Sequence, residues 1–540
     1  MTSRKLIKKA DQLLEKEKGT VFKDPGGKVN VCLVYPNTYR VGMSSLGFQG
    51  IYSILNSRND TVCERAFLPD EEDMEEHLRT GTPLFSLESK RPLNRFDIVA
   101  FSVSYENDYP AIPKILHMGG IPPVSAERNH NHPLTLLGGV CAGFNPEPLS
   151  EFFDIIFVGE AETSIHSFIE RFKNCKERND FLYDIVSLKG FYVPAFYEIR
   201  YSPDGTIMER IPSNGAPEVV ERVTEEVLDF RIKPAIITPE AEFSDMYLLE
   251  AMRGCPWSCR FCLAGHIYNP PRQKNRETLI QEIKNAQAIT ERVGLIGPSL
   301  TDYRYIEDAL SMEGVEFSIT SLRASRRSAG ILSLIQKKQS ISIAPEAGTE
   351  RLRRIINKKI TEEDIIETAG EIFKTGINRL RLYFMIGLPF EEDSDIEGLI
   401  ELTKKIRSLS TKGLITLSVS TFVPKPFTPF QWHPMATEET VKKRIKMLRK
   451  ELNQKGIRVF HDVPKYAYLQ GILARGDRRL SRFLVDLKDA GNWRKTLKKS
   501  GLSEDFYIFR KREFSEILPW DFIDTGISRE QLWNEYKKCI

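Results

Sequence analysis

The sequence predicts an α/β fold in which a Rossmann-like doubly wound domain precedes a partial barrel of six β/α units and a helical C-terminal extension. Short apolar runs alternate with helical stretches in both halves of the chain, which is the pattern of parallel sheets covered by helices. Between the halves, three cysteines share one short loop directly after an apolar run. We place the domains at residues 1–195, 196–245 (a hairpin and linker), 246–435 and 436–540.

The composition is that of an ordinary soluble globular protein. The 540 residues are 41% hydrophobic and 28% charged, with a net charge of +3, so no strong overall field points to nucleic acid or a membrane surface. No apolar stretch approaches the roughly 18 residues of a membrane span, and the polar start of the chain does not resemble a secretory signal. Free thiols need a reducing compartment, so we expect a cytoplasmic, oxygen-sensitive protein.

The first half contains the doubly wound pattern. After a charged helix within residues 1–20, we predict strands at 29–35, 61–65, 97–103, 134–137 and 155–158, with a helix from Ser44 to Leu55. In such a sheet, ligands bind at the carboxyl ends of the strands. The small or polar residues there are the candidate ligand-binding residues of this half: Ser102, Ser104, Gly138, Gly139, Gly159 and Glu160.

The second half repeats a strand followed by a helix. We predict strands at 246–252, 293–296, 317–319, 340–344, 379–386 and 414–419, with a first helix within 275–291. In barrels of β/α units, functional residues collect at the carboxyl ends of the strands. The candidates at or near these ends are Gly297, Ser299, Arg323, Glu346, Arg381 and Gly387.

The cysteine loop carries the most specific chemical signal. Cys255, Cys259 and Cys262 have C-x3-C-x2-C spacing, so three thiolates can converge on one iron–sulfur cluster or one zinc ion. Zinc would need a fourth ligand, for which His266 is the only local candidate. A four-iron cluster held by three thiolates leaves one iron open for chemistry. A ferredoxin-type carrier is a further alternative, although it lacks a fourth nearby cysteine.

At this loop the chain resembles the radical S-adenosylmethionine (SAM) superfamily, whose C-x3-C-x-aromatic-C signature is matched by Cys255, Cys259, Phe261 and Cys262. The resemblance implies a 4Fe–4S cluster whose open iron binds SAM, with Phe261 near the adenine. It also implies reductive cleavage of SAM to methionine and a 5′-deoxyadenosyl radical, with an electron from a flavodoxin- or ferredoxin-type donor.

The same resemblance suggests roles for the strand-end residues. Gly297 and Ser299 follow the second strand, where the superfamily often carries a Gly-Gly-Glu motif that this chain lacks. Glu346 would accept hydrogen bonds from the SAM ribose or amino group, and Arg381 would pair with its carboxylate. Arg323 and Gly387 complete the predicted pocket. The alternative is a salt-bridge network inside a polar barrel.

The N-terminal loops resemble the cobalamin-binding domain fused to many radical SAM enzymes. The matching segments are 36–37, 42–47, 145–148 and 158–162, together with the serines and glycines named above. The D-x-H-x-x-G motif that provides a lower axial histidine elsewhere is absent. We therefore expect cobalamin without a histidine on its lower face. An α/β domain without a cofactor is the alternative.

The remaining stretches are less specific. Residues 421–432 contain three prolines and four aromatic residues, which favour either a cover over the barrel mouth or simple packing. The basic helices after residue 437 carry interspersed acidic residues, so they are read as solvated faces and not as an RNA-binding surface. Cys539 receives no role.

These observations lead to three functional hypotheses. The first is cobalamin-dependent methylation of an unactivated carbon in a peptide, protein or small natural product. The second is another radical SAM reaction, such as ring formation, oxidation or methylthiolation. Methylthiolation usually needs three further clustered cysteines, whereas Cys32, Cys63, Cys141 and Cys175 are scattered. The third is a non-catalytic iron–sulfur scaffold or electron carrier.

Overall fold

The computed structural model describes residues 3–175, 177–228, 234, 236–319, 321–334, 340–410, 412–487 and 490–540. The chain divides into two compact units. Unit 1 comprises Met1–Leu248, Gly476–Ser503 and Ser515–Gly526, and unit 2 comprises Leu249–Arg475, Glu504–Phe514 and Ile527–Ile540. The C-terminal region of the chain therefore contributes to both units.

The strands confirm the predicted positions to within a few residues and add short ones. They are β1 Val29–Tyr35, β2 Thr61–Phe67, β3 Ile98–Ser102, β4 Leu134–Gly138, β5 Ile155–Phe157, β6 Phe191–Tyr192, β7 Tyr197–Tyr201, β8 Ile207–Pro212, β9 Val220–Glu221, β10 Tyr247–Glu250, β11 Met252–Arg253, β12 Arg272–Gln273, β13 Arg292–Ile296, β14 Glu316–Ser318, β15 Ile341–Glu346, β16 Arg379–Ile386, β17 Leu414–Thr421, β18 Ile457–His461 and β19 Ile523–Asp524.

The helices begin at capping residues in several cases: Asp70, Asn275 and Thr361 each accept a hydrogen bond from a first-turn backbone N–H, which satisfies donors that have no partner inside the helix. The helices are α1 Arg4–Glu15, α2 Tyr39–Gly42, α3 Leu46–Ser57, α4 Glu71–Thr80, α5 Ala111–Met118, α6 Ser164–Asn174, α7 Arg178–Ile185, α8 Arg276–Gln287, α9 Ile306–Leu310, α10 Arg326–Leu334, α11 Glu350–Ile355, α12 Glu362–Lys374, α13 Asp393–Ser408, α14 Glu438–Glu451, α15 Pro464–Arg475, α16 Leu480–Asp486, α17 Trp493–Lys499 and α18 Arg529–Lys537.

The main sheet of unit 1 has the strand order β2-β1-β3-β4-β5-β6. Its first five strands are parallel, and β6 is antiparallel. All residues of β1 except Asn30 are buried, as expected of a parallel strand covered on both faces. β2 lies on one side of β1, whereas β3, β4 and β5 follow on the other side. The strand order therefore reverses between β1 and β3, and doubly wound folds bind ligands at such a switch point. The predicted doubly wound domain is confirmed.

A buried ion pair attaches the C-terminal segment of unit 1 to its sheet domain. The Glu147 carboxylate lies 3.0 Å from the Arg478 guanidinium and 3.3 Å from that of Arg210, and the Tyr192 hydroxyl donates to it at 2.5 Å. Burial alone would raise the pKa of Glu147, but the two arginine charges outweigh burial and hold this pKa at about 2. The carboxylate is therefore ionised in the folded protein at neutral pH.

Two further contacts join the same segments. The Asn145 side-chain amide donates to the Gly476 carbonyl at 2.8 Å, and β9 pairs in parallel with β19. Residues 145–148 are one of the segments whose sequence resembles the cobalamin-binding loops. In the structure, Asn145 and Glu147 are fully buried, and they bind the protein's own C-terminal segment.

Unit 2 contains the β/α repeats. One sheet has the order β10-β13-β14 and another the order β15-β16-β17-β18, and a parallel bridge from Leu322 to Ile343 connects the segment after β14 to β15. The six predicted strands are thus present in sequence order. β18, which was not predicted, follows them as a further parallel strand. The predicted α/β class is confirmed.

The aromatic stretch at residues 421–432 belongs to the core of unit 2. Phe430 and Trp432 are fully buried, and the Trp432 ring packs edge-on against Trp533 of α18 at 5.0 Å between centroids. The neighbouring His433 shares a 2.9 Å hydrogen bond with the Tyr536 hydroxyl. These contacts favour packing over a cover at the barrel mouth. Across the described residues, no helix combines the length and hydropathy that crossing a bilayer requires.

Replacing Glu147 with glutamine should destabilise unit 1. The change leaves two buried guanidinium groups without a countercharge, so we expect a loss of about 3 kcal/mol in the free energy of unfolding at pH 7. Because the folded pKa of Glu147 is lowered from 4.5 to about 2, the wild type holds this stability above pH 4.5 and loses it as the pH falls toward 2.

Urea unfolding between pH 7 and pH 3 measures both effects. The E147Q variant should lack this part of the acid dependence, and the exposed pair Glu198–Arg200 provides the control variant E198Q, which should resemble the wild type. Equal stability of E147Q and the wild type at pH 7 would contradict the assigned role of the ion pair.

Candidate functional site

The cysteine loop follows β10 and is closed at its base. β11 pairs antiparallel with β12, which joins the two ends of the loop. Gly254 adopts φ 80°, and a Cβ added there would lie 2.0 Å from the Tyr268 carbonyl oxygen. A Cβ at Gly265 would lie 2.3 Å from the Trp257 carbonyl oxygen. Two glycines therefore allow backbone to meet backbone across the loop.

The three thiols lie close enough to act on one another electrostatically. Burial is the main cause that raises the pKa of Cys255, Cys259 and Cys262, and in each case the charge of another of the three raises it further. Backbone hydrogen bonds oppose this rise, from Trp257 at Cys255 and from Ala264 at Cys262. The loop thus gathers three thiols and offers backbone donors to their ionised forms.

Two cations are directed at the same loop. The Arg323 guanidinium stacks 3.7 Å from the centre of the Trp257 ring and donates to the Lys358 carbonyl. Arg323 and Lys358 both lower the pKa of Cys259. Lys358 also forms a 3.0 Å ion pair with Glu346, which lies at the carboxyl end of β15. A deprotonated thiolate is the form that binds metal, and these charges favour it.

The loop after β13 reaches the same group of residues. The Ser299 hydroxyl donates to the Asp302 carboxylate at 2.5 Å, and the Trp257 indole N–H donates to it at 2.6 Å. A Cβ at Gly297 would meet the Met252 side chain at 2.5 Å. Four of the predicted site residues therefore lie in elements that contact the cysteine loop or act electrostatically on its thiols: Arg323, Glu346, Gly297 and Ser299.

Other predicted residues have different surroundings. Arg381 is exposed on β16, beside Ser342 and Thr416 in the sheet register, and it is not among the groups that shift the cysteine pKa values most. The Gly387 N–H donates to Glu391 at 2.6 Å, and burial raises the pKa of this carboxyl group to about 7. Phe261 is partly exposed. Roles of these residues in SAM binding stay predictions.

Arg260 fixes the loop to the rest of unit 2. Its guanidinium donates to the carbonyls of Ile355 at 2.7 Å and Arg354 at 3.1 Å, and it lies 3.2 Å from Glu535 of α18. His266, the possible fourth zinc ligand, is buried with its Nδ1 2.7 Å from the Cys262 carbonyl oxygen. This contact gives His266 a structural role in the loop.

In unit 1, the predicted cofactor residues form two groups. Ser102 and Ser104 adjoin Gly138 and Gly139 because β3 pairs with β4. Burial raises the pKa of Tyr35 at the end of β1, and a hydrogen bond with Ser104 opposes this rise. The serines and glycines lie at the carboxyl ends of neighbouring strands, where the sequence predicts a ligand.

The second group, Gly159 and Glu160, packs against the linker within residues 196–245. A Cβ at Gly159 would lie 2.3 Å from the Val223 carbonyl oxygen, and the buried Glu160 carboxylate accepts a 3.0 Å hydrogen bond from the Glu225 N–H. This packing gives both residues a role that the sequence did not predict. A cofactor contact by either one stays a prediction.

The carboxylate of Asp108, near the switch point, was not predicted from the sequence. The Asn37 amide after β1 donates to Asp108 at 2.8 Å. Burial raises the pKa of Asp108 to about 6. The pairing could not be read from the chain because 71 residues separate the two side chains.

The fit of a cluster to the cysteine loop depends on its donor set. Three soft thiol ligands from one loop, with backbone N–H groups and two cations around them, suit an anionic iron–sulfur cluster. Within the described ranges, no three metal-ligating side chains are grouped tightly enough for one ion. The fit therefore rests on the donor set of the loop and on the countercharges beside it. The residues fit the cluster.

Comparison with known families gives the same assignment. A family model described as the radical SAM superfamily matches residues 249–403, and one described as the N-terminal part of radical SAM proteins matches residues 47–194. The uncharacterized protein MJ0966 of Methanocaldococcus jannaschii is 32% identical over 485 residues, covering 88% of this chain and 95% of that protein. The chain belongs to the radical SAM superfamily.

Further relatives of this radical SAM protein match more weakly. A tRNA-2-methylthio-N(6)-dimethylallyladenosine synthase of Desulforamulus reducens is 24% identical over 174 residues, which cover 29% of this chain and 38% of that protein. The solved structure of the cobalamin-dependent S-adenosylmethionine radical enzyme OxsB with aqua-cobalamin and S-adenosylmethionine bound is 13% identical, with a TM-score of 0.48. That match covers 95% of this chain and 79% of the other.

Replacing Gly254 with alanine should prevent cluster assembly in this radical SAM protein. The added methyl group would collide with the Tyr268 carbonyl, so the loop cannot close. Gly376 has a similar φ of 85° but no atom within 4 Å of an added Cβ, and G376A therefore controls for backbone strain alone.

Both variants are reconstituted anaerobically with iron and sulfide, and iron and acid-labile sulfide per chain are measured. We expect G254A to lose most of its iron and G376A to retain the wild-type content. Full iron content in G254A would show that loop closure is not needed.

Proposed function

We propose that this radical SAM enzyme binds cobalamin in unit 1 and methylates an unactivated carbon of a peptide, protein or small natural product. The observation that carries the proposal is the switch point of the unit 1 sheet, between β1 and β3. Asn37 follows β1, Ser102 ends β3 and is followed by Ser104, and Gly138 ends the neighbouring β4. Polar and small residues at this place leave room for a large ligand and offer it hydrogen bonds.

In unit 2, the chain's own residues would hold and orient the radical-generating cofactors. Cys255, Cys259 and Cys262 would hold the cluster, which when bound supplies the electron that cleaves SAM. Arg323 and Lys358 would offset its negative charge. Glu346, already paired with Lys358, would accept hydrogen bonds from SAM, and the exposed Arg381 guanidinium would pair with its carboxylate.

In unit 1, the residues would position cobalamin without coordinating cobalt through histidine. The histidines of the N-terminal half are His77, His117, His130, His132 and His166, and none follows β1, β3 or β4 directly. Bound cobalamin supplies the methyl group. The serine hydroxyls and the backbone around Gly138 would hold the corrin and its nucleotide tail, and a second SAM would serve as the methyl donor.

A different radical SAM reaction is the second candidate. The methylthio-transferring relative brings methylthiolation into consideration, but that reaction usually uses a second cluster held by three N-terminal cysteines. Cys32, Cys63 and Cys141 are fully buried, the first two inside β1 and β2. This packing disfavours methylthiolation relative to cobalamin-dependent methylation. A ring-forming or oxidising reaction would produce 5′-deoxyadenosine without methyl transfer.

Cysteine variants test the radical chemistry. The reduced, reconstituted protein should convert SAM to 5′-deoxyadenosine, and alanine at Cys255, Cys259 or Cys262 should abolish both iron binding and this product. Cys175 is a partly exposed thiol that is not part of the loop, so C175A should retain both. Chromatography of the nucleoside and an iron assay provide the measurements. An intact cluster with no cleavage in the wild type would favour the non-catalytic scaffold.

Filling the switch point tests cobalamin binding. An added Cβ at Gly138 has only the Phe101 carbonyl oxygen within 4 Å, at 3.9 Å, so G138V should fold while placing a side chain where the corrin would lie. We expect reconstituted wild type to hold about one corrinoid per chain, seen by absorption spectroscopy, and G138V to hold much less while still cleaving SAM.

The exposed-turn variant G26V is the control and should bind corrinoid normally. A wild-type protein that holds no corrinoid after reconstitution would remove the methylation proposal and leave the second candidate.

A further inference from the structure

The outer edge of β18 lies open on unit 2. β18 is the last strand of its sheet and pairs with β17 from Ile457 to His461. Gly456 and Asp462 bond to β17 through their backbone groups, so by the alternation of parallel strands residues 457, 459 and 461 direct their N–H and C=O groups to the other side. On that side, the Ile457 N–H donates to the Gln454 carbonyl at 3.2 Å. Among the described residues, no strand pairs with that side.

A groove of 920 Å³ runs along this edge, between β18 and α14. Its floor is apolar and includes Ile445, Leu452 and Val459. One wall consists of basic residues of α14 that recur at helical spacing and are all exposed: Lys442, Lys446, Arg449 and Lys450. Arg458 of β18 contributes a fifth cation. None of the described residues that line the groove is acidic.

The cations are available to a ligand. Within the described part of the chain, Lys446, Arg449 and Arg458 form no ion pair with a carboxylate. Lys442 pairs with Glu438 across an exposed 2.7 Å contact, and Lys450 lies 3.9 Å from Glu451, also exposed. Surface ion pairs of this kind contribute little and exchange readily. The groove therefore combines exposed cations with a strand edge that no other described strand pairs with.

Lysines beside an edge strand often serve only to prevent edge-to-edge aggregation. Two features of this edge differ from such protection. Phe460 of β18 is 58% exposed and Val463 is 56% exposed, so the edge presents apolar surface that a protective design would remove. The groove also leaves space beside the strand, where a protected edge would be covered or twisted away.

We infer that the groove binds an extended acidic segment of a peptide or protein substrate, which adds to β18 as a further strand. The inference rests on the proposed function for its substrate class. Backbone groups of the segment would pair with the Ile457 carbonyl and with the N–H and C=O groups of residues 459 and 461. Its side chains alternate between faces, so carboxylates on one face would meet Lys446 and Arg449, and those on the other would meet Arg458.

Single-stranded RNA could use the same cations and stack on Phe460, but it would leave the strand edge unpaired. The free edge therefore favours a peptide. Five residues of β18 span roughly 16 Å, which sets the length of the paired segment at about five to seven residues.

The probe is a fluorescent peptide of roughly ten residues in which pairs of glutamates alternate with pairs of valines, so that carboxylates lie on both faces of the strand. Its binding to the full chain is measured by anisotropy. A peptide of the same sequence with alternate backbone nitrogens methylated keeps the charge but cannot pair as a strand. We expect the plain peptide to bind at least about tenfold more tightly than the methylated one and more tightly than a uridine oligonucleotide of equal charge.

Charge reversal in the groove provides the second arm. K446E/R449E should weaken peptide binding by about tenfold or more, whereas K498E/K499E, on exposed positions of α17, should not. Both variants should form the cluster and cleave SAM as the wild type does, so loss of the groove is distinguishable from loss of the proposed activity.

Three outcomes would overturn the inference. Equal binding of the methylated and plain peptides would show a charge effect without strand pairing. Tighter binding of the oligonucleotide would identify the groove as an RNA surface. The absence of peptide binding to the wild type would show that the edge accepts no such segment.

Discussion

The close backbone approach at Gly254 is the constraint on which the candidate active centre depends. Because no side chain stands between Gly254 and the Tyr268 carbonyl, the two ends of the cysteine loop meet as β11 and β12. The Arg260 guanidinium then fixes the loop to carbonyls at the end of α11. The candidate metal ligands are thus held by contacts in which a main-chain group takes part each time.

Both positive and negative side chains surround this loop. Arg323 and Lys358 lower the pKa of Cys259, and the carboxylates of Asp302 and Glu346 lie near these cations. A cluster bound by thiolates is anionic, so burying it costs less where countercharges already stand. The carboxylates keep the site from becoming strongly positive before a cluster is present.

Much of the fold and the metal-binding loop could be predicted from local sequence. Apolar runs identified the strands of both units, and the cysteine spacing predicts the candidate metal ligands, because both signals lie within a few residues. The partners of these residues could not be predicted in this way. Arg260 and Glu535 are 275 residues apart, and Glu147 and Arg478 are 331 apart, so only the folded chain brings them together.

The strand-end glycines show a second limit. Small residues after a strand predicted ligand contact at both Gly138 and Gly159, yet Gly159 receives the backbone of residue 223. A glycine signals that something approaches closely, and sequence alone does not distinguish a cofactor from the chain itself. β18 was not predicted either. It is a short strand whose residues alternate between exposed and covered positions, and it lies inside a stretch dominated by basic helices.

The return of the C-terminal region to both units has a consequence for how this protein can be divided. A fragment that stops at residue 248 would lose Arg478 as the partner of Glu147 and β19 as the partner of β9. A fragment that begins at residue 249 would carry segments 476–503 and 515–526 with no sheet to receive them. A single cut in the chain therefore cannot separate the two units, and producing unit 1 by itself would require joining its head to its tail.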